Sequence, residues 1–202
     1  INNKLFKVIH LAPVISKSGL VYRYKDSDIE VIKKQKLNLI VRFCGGILRG
    51  DILNVCPNGI ISFHHADNNV NRGGPPGFWE VYNKEPRTGF VIQKLKEELD
   101  GGDVLYKGFI ATSWFYSLNL AKLYGVSNPF LEYVINDLTS DNPKLKILAK
   151  SPYSFPLFTT PKLYHSFIYV LKSTFILIEK ISRKIRNKSY RWGVAYQFVE
   201  DG

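Results

Sequence analysis

The strongest structural signal in the chain is the run Ser62-Phe63-His64-His65-Ala66-Asp67-Asn68-Asn69-Val70-Asn71-Arg72-Gly73-Gly74-Pro75-Pro76. It follows the apolar residues Gly59-Ile60-Ile61, a pattern that is typical of a buried strand. It precedes Gly77-Phe78-Trp79-Glu80-Val81-Tyr82. This segment is predicted to be a short helix, because prolines are common at the start of a helix and Pro75-Pro76 come directly before it. A strand therefore delivers His64 and His65 to its carboxyl end, and open α/β sheets gather their sites at that edge.

A second polar turn also lies next to a predicted strand. Residues 97–105 read Glu97-Glu98-Leu99-Asp100-Gly101-Gly102-Asp103-Val104-Leu105, so carboxylates crowd a glycine turn just before another predicted strand. A metal site made of His64, His65 and Asp67 is an alternative use of the first run, since imidazole and carboxylate bind zinc. Adjacent strand residues point to opposite faces, however, so we expect no metal here. Neither run carries a phosphate-binding or dinucleotide fingerprint.

Together the two stretches resemble the folate-dependent formyltransferases, which act on methionyl-tRNA, glycinamide ribonucleotide or sugar amines. Ser62-Phe63-His64 stands where that family has Asn-x-His at a strand end, and Arg72-Gly73-Gly74-Pro75-Pro76 stands at its Arg-Gly turn. Further matches are Asp100-Gly101-Gly102-Asp103 at the Asp-x-Gly-Asp turn, Thr88-Gly89-Phe90-Val91-Ile92-Gln93 at the Thr-Gly-Val-Thr strand, and Gly45-Gly46-Ile47-Leu48 at the Gly-x-Ile-Leu turn. The resemblance covers roughly residues 37–138.

The resemblance implies a role for each matched residue. His64 would be the proton shuttle and Asp100 its carboxylate partner, while Ser62 replaces the catalytic asparagine with a shorter hydroxyl donor. The pteridine ring of 10-formyltetrahydrofolate would lie against the cofactor residues Phe43, Ile47, Leu48, Glu97 and Leu99. The substrate-binding residues would be His65, Asn68 and Arg72.

Composition sets the broad class of the protein. The chain has 202 residues, of which 45% are hydrophobic, and no apolar run is long enough for a membrane-spanning helix. Cys44 and Cys56 fit neither a disulfide framework nor a metal spacing, which predicts reduced thiols and a cytoplasmic location. The net charge of +11 favours either attraction to phosphates or a merely solvated basic surface.

The order of predicted elements indicates the fold class. Strands are predicted at 5–11, 37–43, 60–64, 88–95 and 104–112, and helices at 26–35, 47–53, 77–82, 113–124 and 129–138. Early alternation of strand and helix favours an α/β fold with a Rossmann-like, mostly parallel sheet flanked by helices and a helical C-terminal extension. We expect a formyltransferase-like domain over 1–140, an extension over 141–191, and the possible start of a further domain at 192–202.

A long amphipathic helix is predicted from Tyr164. Its apolar residues Ile168, Leu171, Phe175, Ile178, Ile181 and Ile185 step by three and four, and residues 180–191 contain basic but no acidic residues. Two interpretations remain open. The helix docks on the domain or on a second copy, as in a homodimer, or it makes a weak contact with an anionic membrane.

The expected function is formyl transfer from 10-formyltetrahydrofolate to a primary amine. An amino sugar, such as one linked to a nucleotide, is the preferred acceptor, and nucleic acid is not the expected partner. Methionyl-tRNA formyltransferase and formyltetrahydrofolate hydrolase are enzyme alternatives. Ser62 in place of asparagine also leaves open a catalytically degenerate module that keeps the fold and binds a partner.

Overall fold

The structure is a computed structural model that describes residues 7–67, 72–97, 102–148 and 157–186. Its strands are Val14–Ile15 (β1), Val21–Arg23 (β2), Ile40–Arg42 (β3), Ile47–Leu48 (β4), Ile60–His64 (β5), Arg72–Gly73 (β6), Arg87–Lys94 (β7), Asp103–Ala111 (β8) and Leu157–Phe158 (β9). Its helices are Asp26–Lys33 (α1), Phe78–Asn83 (α2), Tyr116–Leu138 (α3) and Leu163–Arg186 (α4), with a 3₁₀ helix at Asp51–Asn54. The α/β class and the long C-terminal helix are confirmed.

The strands form three sheets. The first has the order β1-β2-β4 and is mixed, because β1 runs antiparallel and β4 parallel to β2. The main sheet has the order β3-β5-β7-β8, and β3 and β5 run parallel with Arg42 opposite Ser62. The third pairs β6 with β9 in parallel. The β3–β5 pairing agrees with the expected parallel arrangement, while a mostly parallel sheet overall stays a prediction.

Contacts divide the chain into two compact units. The first comprises Ile1–Ser62 and Lys94–Asp103, and the second comprises Phe63–Gln93 and Val104–Gly202. The first unit is built around a cluster of buried residues, which are Leu48, Ile52, Leu53 and Ile60. Burial of these side chains is the main force that holds β4, the 3₁₀ helix and β5 together.

The second unit has an aromatic core. Phe90 of β7 is fully buried with Ile110 of β8 and Leu123 of α3, and Phe63 and Phe130 pack against them. Gly108 lies directly over the Phe90 ring, where any added Cβ would clash with it. Glycine at position 108 therefore lets β8 approach the core ring closely.

Two predicted elements near the amino end are wrong in type. Residues 7–11, the described part of the strand predicted over 5–11, are not a strand. The helix predicted from Ile47 begins instead as strand β4, whose edge donates hydrogen bonds from the Ile47 and Arg49 amides to Leu20 and Tyr22 carbonyls. Gly50, with a φ of +91°, then separates β4 from the 3₁₀ helix because only glycine adopts that conformation readily.

The two helices predicted at 113–124 and 129–138 are one continuous helix. Pro129 lies inside α3 on its exposed side, where water can satisfy the carbonyl that proline leaves without a donor. A buried stripe crosses the proline without interruption, and its members are Asn119, Leu123, Ser127, Leu131 and Val134. Packing of this stripe outweighs the local cost of proline.

The C-terminal helix docks by an unexpected face. Tyr169 accepts a hydrogen bond from the Tyr116 amide, and Lys172 donates to the Tyr82 carbonyl and lies over the Tyr82 ring. His165 packs edge-on against Trp79. The middle of the predicted docking stripe is instead exposed, with Leu171, Phe175, Ile178 and Ile181 between 44% and 71% accessible. Ile168 is half-buried, and the side chain of Ile185 lies outside the description.

Two further expectations fall outside the description. Residues 149–156 of the extension predicted over 141–191 lie outside the described residues, and β9 occupies Leu157–Phe158. The suggested further domain at 192–202 also lies outside them. Within the described residues, no helix is both long enough and apolar enough to cross a bilayer.

Candidate functional site

His64 ends strand β5, as predicted. The strand begins with the buried residues Ile60 and Ile61, which fix its place in the sheet, and it becomes half-buried at Phe63 and His64. Side chains alternate between the two faces of a strand, so His64 points away from Phe63 and His65. The Nε2 atom of His64 is shielded from solvent.

His65 lies in an aromatic pocket of the second unit. Its ring stacks on Phe63 with centroids 4.7 Å apart and meets the edge of Tyr124 at 4.5 Å. Its Nε2 atom is 3.2 Å from the hydroxyl of Ser127, which donates in turn to the Tyr124 carbonyl. Burial, helped by the charge of neighbouring His64, lowers the pKa of His65 to about 4. His65 is therefore neutral at pH 7, and its surroundings are those of a packing residue.

Ser62 is buried and its hydroxyl is engaged. The Oγ atom donates to the carbonyl oxygen of Arg42 on the adjacent strand at 3.2 Å. This bond follows from the parallel register that sets Ser62 opposite Arg42. Donation from Ser62 to a developing oxyanion would require the hydroxyl to turn from that carbonyl.

An ion pair fixes the start of the loop that follows His64. The carboxylate of Asp67 is buried and lies 3.1 Å from the Nζ atom of Lys107 on β8. Asp67 also rests on Gly89 of β7, because a Cβ at position 89 would come within 2.6 Å of the Asp67 Cβ. Gly89 therefore leaves the space that the loop occupies. Sequence reasoning identified the Thr88-Gly89 motif but missed Lys107, which carried no local signal.

A buried polar network supports the same region. The fully buried Asn119 accepts from the Ser113 amide and donates to the Gly77 carbonyl and the Thr88 hydroxyl. Thr88 also shares a hydrogen bond with Thr112. The side-chain amide thus ties the start of α2 to β7 and β8, and a buried amide with all these bonds is stabilising. Sequence reasoning missed Asn119, because a single asparagine in a helical pattern does not indicate which distant residues it will hydrogen-bond.

The Arg-Gly turn is held from both sides. Arg72 pairs through its backbone with Leu157, and the indole of Trp79 donates to the carbonyls of Gly74 and Thr159. The Gly74–Pro75 peptide is cis. The backbone of Arg72 is thereby placed at the turn, as the sequence predicted, while its side chain lies outside the description.

The predicted cofactor residues belong to the first unit. Arg42 donates from its guanidinium to the carbonyls of Gly45 at 2.6 Å and Gly46 at 3.0 Å, which shapes the glycine turn. Leu48 is core and Ile47 is half-buried, while Phe43 is 75% exposed. Glu97 accepts a hydrogen bond from the Gly50 amide. A Cβ added at Gly45 would meet nothing within 4 Å, whereas one at Gly46 would clash with the Tyr22 ring, so the turn borders open space only at Gly45.

Three predicted site residues lie outside the described residues, namely Asn68, Leu99 and Asp100. Their roles, and the pairing of His64 with Asp100, stay predictions. Among the residues that the structure describes, no group of three or more His, Cys, Asp or Glu side chains could hold a metal ion.

Comparison with known proteins adds independent information. The chain is 40% identical over 67 residues to a methionyl-tRNA formyltransferase of Anaeromyxobacter sp. (strain K), a match that covers 33% of this chain and 22% of the relative. It is 33% identical over 104 residues to that of Syntrophus aciditrophicus, covering 50% of this chain and 32% of the relative. The chain therefore spans a third or less of the curated relatives it matches. No family profile matches it.

Solved structures agree on the fold. A sugar N-formyltransferase from a Shewanella species aligns with a TM-score of 0.55 and 21% identity over 73% of this chain and 64% of that one. A 4-N formyltransferase from Francisella tularensis aligns with a TM-score of 0.50 and 15% identity, over 73% and 65% of the two chains. The chain has the formyltransferase fold. The resemblance inferred from the motifs is thereby confirmed.

Two sets of contacts therefore hold the second unit together next to the end of β5. Gly89, Asp67 and Lys107 fix the chain that leaves β5, and Asn119 bonds to Thr88, the neighbour of Gly89 in β7.

Proposed function

We propose that the chain transfers a formyl group from 10-formyltetrahydrofolate to a primary amine. The observation that carries the proposal is the formyltransferase fold with His64 at the carboxyl end of β5. Formyltransferases use folate cofactors, and the sequence matches to methionyl-tRNA formyltransferases support the same reaction class.

His64 would move the proton that the reaction releases. An amine that attacks a formyl carbon must lose a proton, and the leaving nitrogen must gain one. An imidazole with its Nε2 atom shielded from water can accept the first proton and return it to the leaving group. Asp100 would orient this imidazole and stabilise its protonated form, as the resemblance implies.

The residues of the first unit are compatible with a flat folate ring. The Arg42 guanidinium holds the Gly45–Gly46 carbonyls in place, and Gly45 borders open space beside the exposed ring of Phe43. Phe43 and Ile47 would supply apolar contact to the pteridine, and Leu48 would support them from the core. The folate supplies the activated formyl group. Glu97 and Leu99 would complete this contact.

An amino sugar is the proposed acceptor. Two observations favour different acceptors, because the solved structures with the same fold include a sugar N-formyltransferase, whereas the matches in sequence are methionyl-tRNA formyltransferases. The structural match to a sugar N-formyltransferase, over 73% of this chain, is the observation behind the sugar acceptor. Methionyl-tRNA is the second candidate, and the net charge of +11 would help a polyanionic acceptor to bind.

An acceptor panel tests the proposal. Release of tetrahydrofolate from 10-formyltetrahydrofolate is measured with a nucleotide-linked amino sugar, with methionyl-tRNA and with buffer alone, in wild type and in His64→Ala. We expect turnover that depends on an amine and is lost in His64→Ala. Turnover with methionyl-tRNA alone would replace the sugar acceptor, equal release in buffer would indicate a hydrolase, and turnover unaffected by His64→Ala would overturn the mechanism.

A further inference from the structure

The exposed face of α4 is the largest feature that the proposed function leaves unused. The helix has 24 residues, and at a rise of 1.5 Å per residue it is about 36 Å long. Its solvent side carries a continuous row of large apolar residues, namely Leu163, Phe167, Val170, Leu171, Phe175, Leu177, Ile178 and Ile181. Soluble proteins rarely expose apolar patches of this extent without an interaction that covers them.

The opposite face of α4 is already in use. Tyr169 bonds to the Tyr116 amide, Lys172 bonds to Tyr82, and Ser173 is buried. Because this face holds the helix on its unit, the apolar row cannot turn inward without breaking those contacts. The row is thus presented outward by a firmly docked helix.

Most of the net charge of the chain lies in the longer stretch of sequence that contains α4. Residues 142–191 contain eleven basic residues and one acidic residue, Glu179, which accounts for nearly all of the net charge of +11. The remainder of the chain has seventeen basic and sixteen acidic residues. The exposed Lys162 lies just before α4, and Arg183 and Lys184 lie exposed in its last turns.

We propose that α4 lies in the surface of an anionic membrane, with its apolar row in the acyl boundary and its basic residues at the headgroups. A docked helix with one apolar face and exposed basic residues near both ends has the features of an interfacial helix. Charge disfavours a second copy as the occupant, because α4 carries five basic residues and one acidic residue, so pairing it with its own copy would bring like charges together. Anionic lipid supplies the opposite charge.

Vesicle co-sedimentation tests this inference. The chain is mixed with vesicles of phosphatidylcholine, or of phosphatidylcholine with phosphatidylglycerol, at low and high salt. The variant carries Phe167→Ser and Phe175→Ser, and the matched control is Phe43→Ser, because Phe43 is as exposed as Phe175, at 75% against 71%, but lies in the other unit. All three replaced side chains are exposed, so we expect the variants to stay folded, and circular dichroism is used to check this.

We expect binding to the anionic vesicles only, weakening with salt, and falling about a hundredfold in the double variant, or about tenfold for each phenylalanine. The control should bind as wild type does. Absence of binding to anionic vesicles would overturn the proposal, and so would salt-sensitive binding that the double variant retains, which would indicate adsorption by charge alone. A dimer in solution that the double variant makes monomeric, without vesicle binding, would assign the face to a second copy.

Discussion

At the scale of single residues, Ser62 is where this chain departs from the Asn-x-His motif of the family that it resembles. The serine hydroxyl donates to the Arg42 carbonyl, so the serine acts as a strand-pairing residue where formyltransferases carry an amide. An asparagine at this position could keep a donor near that carbonyl and also reach further toward the sheet edge. By the resemblance, the longer amide would be the group that stabilises the oxyanion.

We therefore predict that Ser62→Asn raises formyl transfer about tenfold, which corresponds to about 1.4 kcal/mol of transition-state stabilisation. Steady-state turnover in wild type, Ser62→Asn and Ser62→Asn with His64→Ala measures the effect. Both activities should vanish when His64 is replaced. A slower Ser62→Asn enzyme would mean that the serine belongs to a working variant site.

His65 gives a prediction about stability and pH. Its pKa is lowered to about 4 in the folded chain, against about 6.5 when unfolded, so the unfolded state binds an extra proton between these values. The contribution of His65 is fully present above pH 6.5 and is lost as the pH falls toward 4. With allowance for its partial exposure, this loss is about 2 kcal/mol.

His65→Phe should remove this dependence while keeping the stack with Phe63 and Tyr124. Urea unfolding at pH 7 and pH 4.5 compares the two chains, and wild type should lose more stability than the variant by about 2 kcal/mol. Carboxylates titrate equally in both, so they cancel in the difference. Equal losses would show that His65 is not held neutral by its pocket.

The sequence predicted the position of one histidine but not the contacts of the next. His64 at the end of a strand was predictable, because Ile60 and Ile61 before it have only a buried strand as a reasonable environment. The partners of His65 were not, because Tyr124 and Ser127 reach it from α3, some sixty residues further along the chain. Tertiary partners of this kind leave no periodic signal.

At the scale of elements, glycine positions decide how closely strands and loops approach. Gly89 admits the Asp67 loop against β7, and an added Cβ would come within 2.6 Å of the Asp67 Cβ. Gly125, in α3, has nothing within 4 Å of the same added atom. The two glycines therefore form a matched pair for one substitution.

We predict that Gly89→Ala destabilises the chain by about 1–3 kcal/mol, because backbone must shift to admit the methyl group. Gly125→Ala should be neutral or stabilise by up to about 1 kcal/mol, since alanine favours a helix over glycine. Thermal unfolding of both variants measures the difference. Similar unfolding temperatures for the two would contradict the close approach of Asp67 to β7.

Errors in the predicted elements have physical causes. Separate helices were predicted at 113–124 and 129–138, yet the buried stripe from Asn119 to Val134 keeps α3 whole across Pro129, because burial of several side chains exceeds one lost backbone bond. Ile47 and Leu48 have no helical or strand period in so short a run, and pairing with β2 decided the outcome. The C-terminal helix was predicted correctly, but its apolar stripe faces outward.

At the scale of the whole molecule, the fold and the excess positive charge belong to different parts of the chain. The formyltransferase fold covers most of the chain, and the order of motifs along residues 37–138 was enough to predict it. The basic segment at residues 142–191 lies beyond those motifs, so the resemblance gave it no role. Activity and membrane contact can therefore be tested independently.

Folate binding is the most direct test of the central claim, because it requires no knowledge of the acceptor. Isothermal titration with a stable analogue of 10-formyltetrahydrofolate is performed on wild type and on Gly45→Val, whose new side chain would enter the open space beside the glycine turn without disturbing the core. We predict one-to-one binding by wild type and binding at least about tenfold weaker, or 1.4 kcal/mol, in the variant. No binding by wild type, or equal binding by both chains, would contradict the assignment of this turn to a folate-dependent formyltransferase.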